Sequence, residues 1–553
     1  YYSTNKKKQQ QQQQQQQSNQ QQLRPRNKIP RHHHPPSRTR QENNLSRYNP
    51  QTNINNNHHH HDKNNQNWLN PKLSHPPVAN NLSQQLLSLS SSLRQSTTTD
   101  NDDHALWQQQ QQQKNRYACL QSIRQRQDQV LRDILLYLPH AQQPQQQQIE
   151  IVLIDPAYHA NVGDHMITVA EQIFLSPQNV LQQSQSQQQP TIFLKECSYF
   201  QAGPWAPPCD DDLLFTAKSK TITNNNNNNK HHHTNHHHHQ NNNNQHHQKL
   251  AVWHGGGNWG DLWDTIHQVR TQSITLLLQS NYTIWGMPQS LYFTNPDTAI
   301  NNAQQFRRAV QGGLLTWQTS ARKNMTMMSD EELANALQGR LILTWREQES
   351  YTRAKQLYPY AQHVIMPDIA FQLGPYNVSN LLLVKQEQEQ QQQQQPKVDI
   401  LFFLRNDVES MYASVRDRQS IRQLLISSSS LSQQHRINTA RFTYSIVDWP
   451  DRLDRFESTD YYFTDTALQL LNMGKVLICD RLHAAILAYL ANIPFVFVDQ
   501  VSGKITKTFG VAMSPQHDHD DDDGVCTQPA RWERADNLTD AVAKAAVLWE
   551  QVQ

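Results

Sequence analysis

The sequence predicts an α/β protein built from two doubly wound halves, and three observations carry that prediction. From Glu150 onward, short apolar runs of strand length alternate with segments of helical spacing, the pattern of a parallel sheet covered by helices on both faces. A glutamine tract at Gln386–Gln395 interrupts the alternation, which then resumes. Nearly all the unusual polar and glycine-containing stretches fall where a strand hands over to a helix. In open sheets of this kind ligands bind beyond the carboxyl ends of the strands. With two such halves the cleft between them is the default site.

The chain has 553 residues, but much of it lacks the apolar content needed to offset ordering entropy. Residues 1–115 read as a disordered Gln/Asn/His-rich tail, and an Asn/His insert occupies 224–248. Further polar tracts lie at Ser427–Gln434 and Asp518–Asp523. Removing these leaves roughly 350 residues, enough for two domains of ordinary size. The expected organisation is the tail, a first half over 116–385, a polyglutamine linker at 386–396 and a second half over 397–553.

Formal net charge is +2, so no electrostatic signal points to nucleic acid as a partner. The basic run Lys6–Lys8, with Arg24 and Arg26, lies inside the tail and reads as a solvated arm. Five cysteines, Cys119, Cys197, Cys209, Cys479 and Cys526, show no metal-ligand spacing. Cys197 and Cys209 are the expected pair in an oxidising compartment, and the odd count leaves one free. No apolar run reaches the roughly 18 residues that a spanning helix needs. No signal peptide is visible, although the chain begins at Tyr1 rather than Met, which is compatible with a missing upstream anchor. Six Asn-x-Ser/Thr sites, at Asn44, Asn81, Asn281, Asn324, Asn377 and Asn537, permit a secretory location. An asparagine-rich chain also produces such sites by chance.

In order, an amphipathic helix is expected over Tyr117–Leu138 and a strand over Glu150–Asp155. The turn Ala160–His165 leads into a helix to Leu175, and a strand follows at Thr191–Lys195. Leu250–Trp253 is the next strand. It opens into His254-Gly-Gly-Gly-Asn-Trp-Gly-Asp261, read as a loop in which successive glycines allow close approach. After a helix to Leu278 come strand Tyr282–Trp285, loop Gly286–Ser290, a helix near Ala299–Val310 and strand Arg340–Thr344. A helix beginning in Trp345–Ser350 and strand His363–Met366 complete the first half. In the second half, strand Val398–Leu404 ends in Arg405-Asn-Asp407. Strand Phe442–Val447, helix Thr466–Met473 and strand Pro494–Asp499 follow, and the last helix spans Leu538–Trp549.

Within that half, Lys475–Leu490 reads as a buried strand, a turn and a helix with Asp480 as N-cap. Arg481 and His483 then fall in the first turn, where free N–H groups and the helix dipole favour an anion. Arginine adds a two-pronged donor for phosphate or carboxylate, and histidine a proton that moves near neutral pH.

Each distinctive loop also has a structural reading. Asn161 and Asp164 suit a turn and an N-cap, and Arg346 can pair with Glu349 on its own helix. Pro367-Asp368 suits a strand exit. Gly255–Gly260 matches GxGxxG after a strand, but no Asp or Glu follows between Asp264 and Asp297 to hold a ribose, which counts against a dinucleotide site. His254-Gly-Gly-Gly257 is like an esterase oxyanion loop, yet no GxSxG nucleophile motif exists in the chain. The histidine tract His231–His239 lacks the fixed context of a metal site.

Taken together, Asn161-Val-Gly-Asp164, His254-Gly-Gly-Gly-Asn258, Pro288-Gln-Ser290, Arg346-Glu-Gln-Glu-Ser350, Pro367-Asp-Ile-Ala370 and Asp480-Arg-Leu-His-Ala484 resemble, in that order, the polysaccharide pyruvyl transferase family. The resemblance runs from about Glu150 to the C-terminal helix and leaves out the tail and the inserts. It implies a fold similar to GT-B glycosyltransferases, with two Rossmann-like halves. It also implies transfer of a pyruvyl group from phosphoenolpyruvate to two hydroxyls of a sugar, closing a ketal. By the same resemblance Arg481 and His483 hold phosphoenolpyruvate, Arg346 matches the arginine of the first half, and Lys504 matches a family lysine.

The residues suit that chemistry. Two arginines and a helix N-terminus can hold a carboxylate and a phosphate. The expected roles are His483 as general acid, with Arg481 and Arg346 steadying the phosphate. The acceptor sugar is expected against the first half, near Asn161, Asp164, His254, Gly255, Gly256, Gly257, Asn258 and Asp261. Gln289, Ser290, Arg405 and Lys504 complete the expected binding set. Asp164 and Asp261 are both candidates for the general base. The scheme requires no metal and no cofactor beyond phosphoenolpyruvate as co-substrate. Its partners are a glycan and that donor, and a Golgi-lumen enzyme fits the sequons and the substrate. The alternatives are a nucleotide-sugar glycosyltransferase using the same cleft and a non-catalytic glycan-binding protein.

Overall fold

Two all-parallel sheets form the frame of the molecule in a computed structural model. It describes residues 100–138, 148–157, 161–183, 191–197, 247–262, 264–318, 327–375, 398–407, 409–415, 418–431, 441–449, 460–499, 502–514, 526 and 531–552. All of these belong to one compact unit, Thr97–Gln553. The remainder of the expected tail, most of the Asn/His insert, the polyglutamine linker, the acidic tract and Cys209 lie outside the described residues.

The first sheet holds β1 (Gln148–Ile154), β2 (Thr191–Cys197), β3 (His247–Trp253), β4 (Gly256–Gly260), β5 (Thr283–Tyr292), β6 (Leu341–Trp345) and β7 (Gln362–Ile365). Their order is β2-β1-β3-β5-β6-β7, with β4 paired to the far end of β5. The second sheet runs β12-β11-β10-β8-β9, from β8 (Val398–Phe403), β9 (Tyr444–Val447), β10 (Gly474–Cys479), β11 (Phe495–Val498) and β12 (Trp532–Ala535). Both orders reverse direction after their first strand. That puts one switch point between β1 and β3 and the other between β8 and β10, where ligand crevices form.

Burial on both faces explains the apolar runs of the central strands β5, β6, β8, β10 and β11. On β1, Ile149, Ile151 and Leu153 face a core shared with α1 (Asp100–Tyr137), α2 (Val162–Phe174) and α3 (Pro177–Gln183). Val152 and Ile154 face the opposite core, under α4 (Asp264–Gln279), α5 (Pro296–Gln318), α6 (Asp330–Leu337) and α7 (Gln348–Leu357). On β10, Val476 and Ile478 pack toward α8 (Arg418–Leu431) and α12 (Leu538–Glu550). Leu477 and Cys479 pack toward α9 (Asp460–Leu471), α10 (Leu482–Ala491) and α11 (Lys504–Met513).

That last core is not closed by the second half alone. It takes in Val162 and Met166 of α2, Cys119, Leu120 and Ile123 of α1, and Ala370 and Phe371 of the 3-10 turn Ile369–Leu373. Helix α1 lies across both sheets, with Leu131, Ile134 and Leu135 in the core of the first. Arg116 donates to the carbonyls of Tyr489 and Leu490 at the C-terminus of α10. Arg126 does the same for Val511 and Ala512 at the end of α11. Both contacts place a cation where helix dipoles favour one.

Several local expectations are revised. Helix α1 begins at Asp100, inside the segment read as tail, and runs through the glutamines at 108–113; glutamine is a fair helix former once packing of Cys119–Leu138 anchors the helix. The glycine stretch after His254 is a strand, because β4 resumes pairing with β5 after a break at His254 and Gly255. The stretch Gly286–Ser290 is likewise part of β5. Cys119 pairs with Cys526, with Cα atoms 4.8 Å apart across 407 residues of sequence, a separation no spacing rule would flag. Cys197 is also disulfide-bonded, and its expected partner Cys209 lies outside the described residues. Cys479 is free and buried.

The 3-10 turn joins the two cores through Phe371, fully buried against Tyr489 and Phe509. Phe371→Ala is expected to destabilise the chain by about 3–5 kcal/mol, the transfer and cavity cost of a core phenylalanine. Urea unfolding of the two proteins measures it. A loss below ~1 kcal/mol would mean that the junction does not hold the halves together.

Candidate functional site

Strand ends from both sheets deliver the polar residues to one region. Beyond β1, Asn161 is the N-cap of α2, its Oδ1 accepting from Gly163 N at 3.1 Å. Its Nδ2 donates to Asp164 Oδ2 at 2.9 Å, so both residues do serve the turn and the cap. The first turn of α2 nevertheless touches the other half, because a methyl group on Gly163 would overlap His483 Nδ1. Beyond β10, Arg481 is the N-cap of α10 and His483 sits in its first turn. Asp480, expected as the cap, is used elsewhere: its carboxylate accepts from Arg405 N at 2.8 Å and from Ser410 Oγ at 2.7 Å. It thereby ties the ends of β8 and β10 together across the switch point.

His483 connects to the first sheet through Asp368. The imidazole Nε2 is buried, makes no hydrogen bond and lies 3.6 Å from Asp368 Oδ2. The same carboxylate oxygen accepts from Arg346 Nη1 at 2.5 Å, and Asp368 Oδ1 accepts from Ala370 N at 2.9 Å. Burial would raise the Asp368 carboxyl, but the Arg346 charge and the nearby imidazole outweigh it and hold it well below the usual carboxylate range. Asp368 is 1% exposed and Arg346 1%, so this is a buried pair, not the surface pairing with Glu349 that helix spacing offers. Glu349 pairs with Lys507.

The Arg-Glu-Gln-Glu-Ser stretch aims Arg346. Its Nε donates to Ser290 Oγ at 2.9 Å, and Ser290 Oγ donates to Glu347 Oε1 at 2.5 Å. Ser350 Oγ donates to Glu347 Oε2 at 2.8 Å and accepts from Leu291 N at 3.0 Å. With the guanidinium plane fixed on two edges, Nη2 points toward Gly257. A Cβ on Gly257 would stand 3.3 Å from Arg346 Nη2 and 2.7 Å from Lys504 Nζ. The glycine therefore leaves open the spot on which two cations converge, and Lys504 stands in the first turn of α11.

The other cations are held by carboxylates. Lys504 Nζ lies 2.9 Å from Glu409 Oε2, which also accepts from Arg405 Nη1 at 2.9 Å. Arg405 clasps Asp407 with Nε and Nη2, both at 2.8 Å. Burial would lower the Arg405 guanidinium, but Glu409 and Asp407 hold it above its usual value. Arg481 grips Asp448 through Nε and Nη2, and Nη2 lies 3.5 Å from Asp407.

On the first sheet, His254 Nδ1 lies 2.7 Å from Glu171 Oε2, and Gly255 N donates to Glu171 Oε1 at 2.7 Å. The His254 carbonyl accepts from Gln289 Nε2 at 2.6 Å and Arg270 Nη2 at 2.8 Å. Gln289 is thus spent on the backbone, with its Oε1 accepting from Arg270 at 3.1 Å. Both oxygens of Asp261 accept from Thr294 N at 2.9 Å, and Oδ2 also accepts from Thr294 Oγ1. This fastens the end of β4 away from the convergence of cations. Gly256 pairs with Gln289 in β4, and only the backbone of Asn258 is described.

Sequence reasoning singled out Pro367-Asp368 as a loop but gave Asp368 no place in the site. It missed Glu171, Glu409 and Asp448 altogether. A signal for Glu171 existed: Asp164, Thr168 and Glu171 recur at i, i+4 and i+7 on a helix whose neighbours are apolar, and all three are buried. Asp448 follows strand β9 directly, and Glu409 follows the Arg405-Asn-Asp407 exit, the same strand-end position as the residues that were chosen.

A family model described as polysaccharide pyruvyl transferase matches residues 208–500, just over half of the chain. The matched stretch contains the glycine strand, Arg346, Asp368, Arg405, Arg481 and His483, and stops short of Asn161–Asp164 and Lys504. Pyruvyl transferase 1 of Schizosaccharomyces pombe is 24% identical over 275 residues, 46% of this chain and 52% of that protein. The chain thus spans about half the length of that curated relative. A crystal structure of a functionally uncharacterised protein of Klebsiella pneumoniae aligns with a TM-score of 0.32 at 14% identity, covering 70% of this chain and 93% of that one. Among the described residues no helix is long and apolar enough to cross a membrane.

The His254–Glu171 pair has a pH signature. Burial pulls the imidazole down, but the Glu171 charge and hydrogen bond, with Asp164 behind them, leave it above its ordinary value. Its contribution is therefore complete below the unfolded value, about 6.5, and is lost as pH rises through the folded one. The stability difference between the wild type and His254→Gln is expected to be largest below pH ~6.5 and to shrink above it, read from urea midpoints across pH. A difference that grows with pH would contradict the pairing.

Proposed function

The chain belongs to the polysaccharide pyruvyl transferase family, and on that premise we propose that it transfers a pyruvyl group from phosphoenolpyruvate onto two hydroxyls of one glycan sugar, closing a cyclic ketal. The observation that carries this reading is the convergence of Arg346 Nη2 and Lys504 Nζ on the open face of Gly257, with His483 set against Gly163 nearby. A phosphate and a carboxylate on one small molecule suit such donors at helix N-termini.

In the proposed sequence, the proton of His483 goes to the methylene carbon of phosphoenolpyruvate, turning it into a methyl group. Nε2 lies 3.6 Å from Asp368 Oδ2, and Nδ1 packs against the first turn of α2 at Gly163, so the ring is held from both sides. The oxocarbenium-like carbon is attacked by a sugar hydroxyl, whose proton passes to a base. The bond to the phosphate oxygen breaks, the second hydroxyl adds to the same carbon, and its proton leaves with phosphate. Arg346, Lys504 and Arg481 stabilise the phosphate as charge builds. Asp164, next to Gly163 in the first turn of α2 and hydrogen-bonded to Asn161 Nδ2, is the favoured base over Asp261, whose two oxygens both accept from Thr294. The sugar then lies along the N-terminus of α2.

The test is phosphate release from phosphoenolpyruvate with a panel of galactose- and mannose-terminated acceptors. Acceptor-dependent release is expected, falling ~10²–10⁴-fold in His483→Ala, as for loss of a general acid. Asp164→Asn is expected to fall on the order of 10²-fold, with Asp261→Asn within a few-fold of wild type. No release with any acceptor, alongside turnover of a nucleotide sugar, would overturn the reading.

A further inference from the structure

We infer that Asn281 carries an N-linked glycan, added in an oxidising secretory lumen. Two independent features point there. The first is the fate of the cysteines. Cys119, 2% exposed, is bonded to Cys526, and Cys197 is disulfide-bonded as well, whereas the free thiol is that of buried Cys479. A bond between cysteines 407 residues apart is a structural one, and such disulfides persist where the compartment is oxidising.

The second feature is the setting of the sequon Asn281-Tyr-Thr283. Asn281 is exposed in the turn from α4 into β5, so the folded chain leaves room for a glycan there, and its left-handed conformation (φ 60°) is that of a helix C-terminus, with its N–H bonded to the Leu278 carbonyl. Its Oδ1 accepts from Arg340 Nη1 at 3.4 Å, an exposed contact that a glycan on Nδ2 does not have to break. The tyrosine at the middle position is no obstacle, since only proline there blocks the acceptor. The turn also lies at the start of β5, whereas Gln289 and Ser290 lie toward its end. A glycan on Asn281 lies at the end of β5 opposite the one that carries Gln289 and Ser290. Asn537 is a weaker candidate: it is exposed, but its side chain is committed as the N-cap of α12 through Asp540 N.

The step requires a lipid-diphosphate-linked oligosaccharide as co-reactant. Asn281 Nδ2 bonds to C1 of the first N-acetylglucosamine as the bond from C1 to the lipid diphosphate breaks, and its proton passes to the departing diphosphate. Transfer to the nascent chain precedes folding, so burial of Thr283 in β5 does not oppose it. The inference stands on cysteine pairing and on the exposure of Asn281, and does not depend on the pyruvyl transfer reading.

The experiment uses the full chain isolated from its own cells. One portion is treated with peptide N-glycosidase in ¹⁸O-water and digested for mass spectrometry. Another is alkylated before and after reduction. The expected result is conversion of Asn281 to ¹⁸O-labelled Asp, with Cys119 and Cys526 alkylated only after reduction. Recovery of the Asn281 peptide wholly unmodified would overturn the assignment. Alkylation of Cys119 without reduction would overturn the oxidising compartment. Asn281→Gln expressed in the same cells is expected to lose one glycan's worth of gel mobility shift and keep its fold.

Discussion

The Asp368 carboxylate is the contact on which the candidate site depends. It is 1% exposed, accepts from Arg346 of the first half and lies 3.6 Å from His483 of the second. Its backbone is held as firmly as its side chain: Gln127 of α1 donates to the Asp368 carbonyl at 2.7 Å and to that of Pro367 at 3.3 Å. The 3-10 turn that follows buries Ile369 in one core and Phe371 in the other. One residue thus fixes the bearing of a guanidinium and an imidazole that come from different sheets. A shift of an ångström at such a junction would separate them, which is a large loss where catalysis rests on positioning.

Around this junction Arg346, Arg405, Arg481 and Lys504 are each paired with a carboxylate. Leaving one such charge without its partner costs about 3–5 kcal/mol, so a cleft lined with bare arginines would weigh heavily on the fold. Asp407, Glu409 and Asp448 solve this by pairing with Arg405, Lys504 and Arg481. They also fix direction, since Asp448 holds the Nε edge of Arg481 while Asp407 and Glu409 hold Arg405 on both sides. Helix α1 supplies the remaining constraint. Its basic residues cap the C-termini of α10 and α11, the two helices whose first turns carry His483 and Lys504, and the Cys119–Cys526 bond fastens it to the second half. The N-termini that face the cleft are therefore braced from behind.

Much of this was legible in the sequence because strand ends are where polar residues cannot be accounted for by packing. The alternation of β-branched runs and helical spacing gave the parallel sheets, and the strand exits gave Arg346, Arg405, Arg481 and His483. What escaped had specific causes. Glu171 is hidden mid-helix, and its role is visible only once β3 brings His254 above it. Asp261 and Gln289 looked equivalent to their neighbours, because sequence does not show that Thr294 and the His254 carbonyl absorb them. The glycine stretch read as a loop because glycine weakens strand propensity, whereas β5 supplies an edge long enough for β4 to pair. Cys119 and Cys526 are linked by tertiary structure alone.

The central claim is that Asp368 orients His483 and Arg346 for proton transfer and anion stabilisation, beyond helping the chain to fold. The most direct measurement is kcat and KM for phosphoenolpyruvate in Asp368→Asn, whose amide keeps the shape and removes the charge, on protein shown by circular dichroism to be folded. The account predicts a folded protein whose kcat falls ~10²–10⁴-fold, the range expected when a general acid loses its setting. A folded Asp368→Asn protein with wild-type kcat would contradict it.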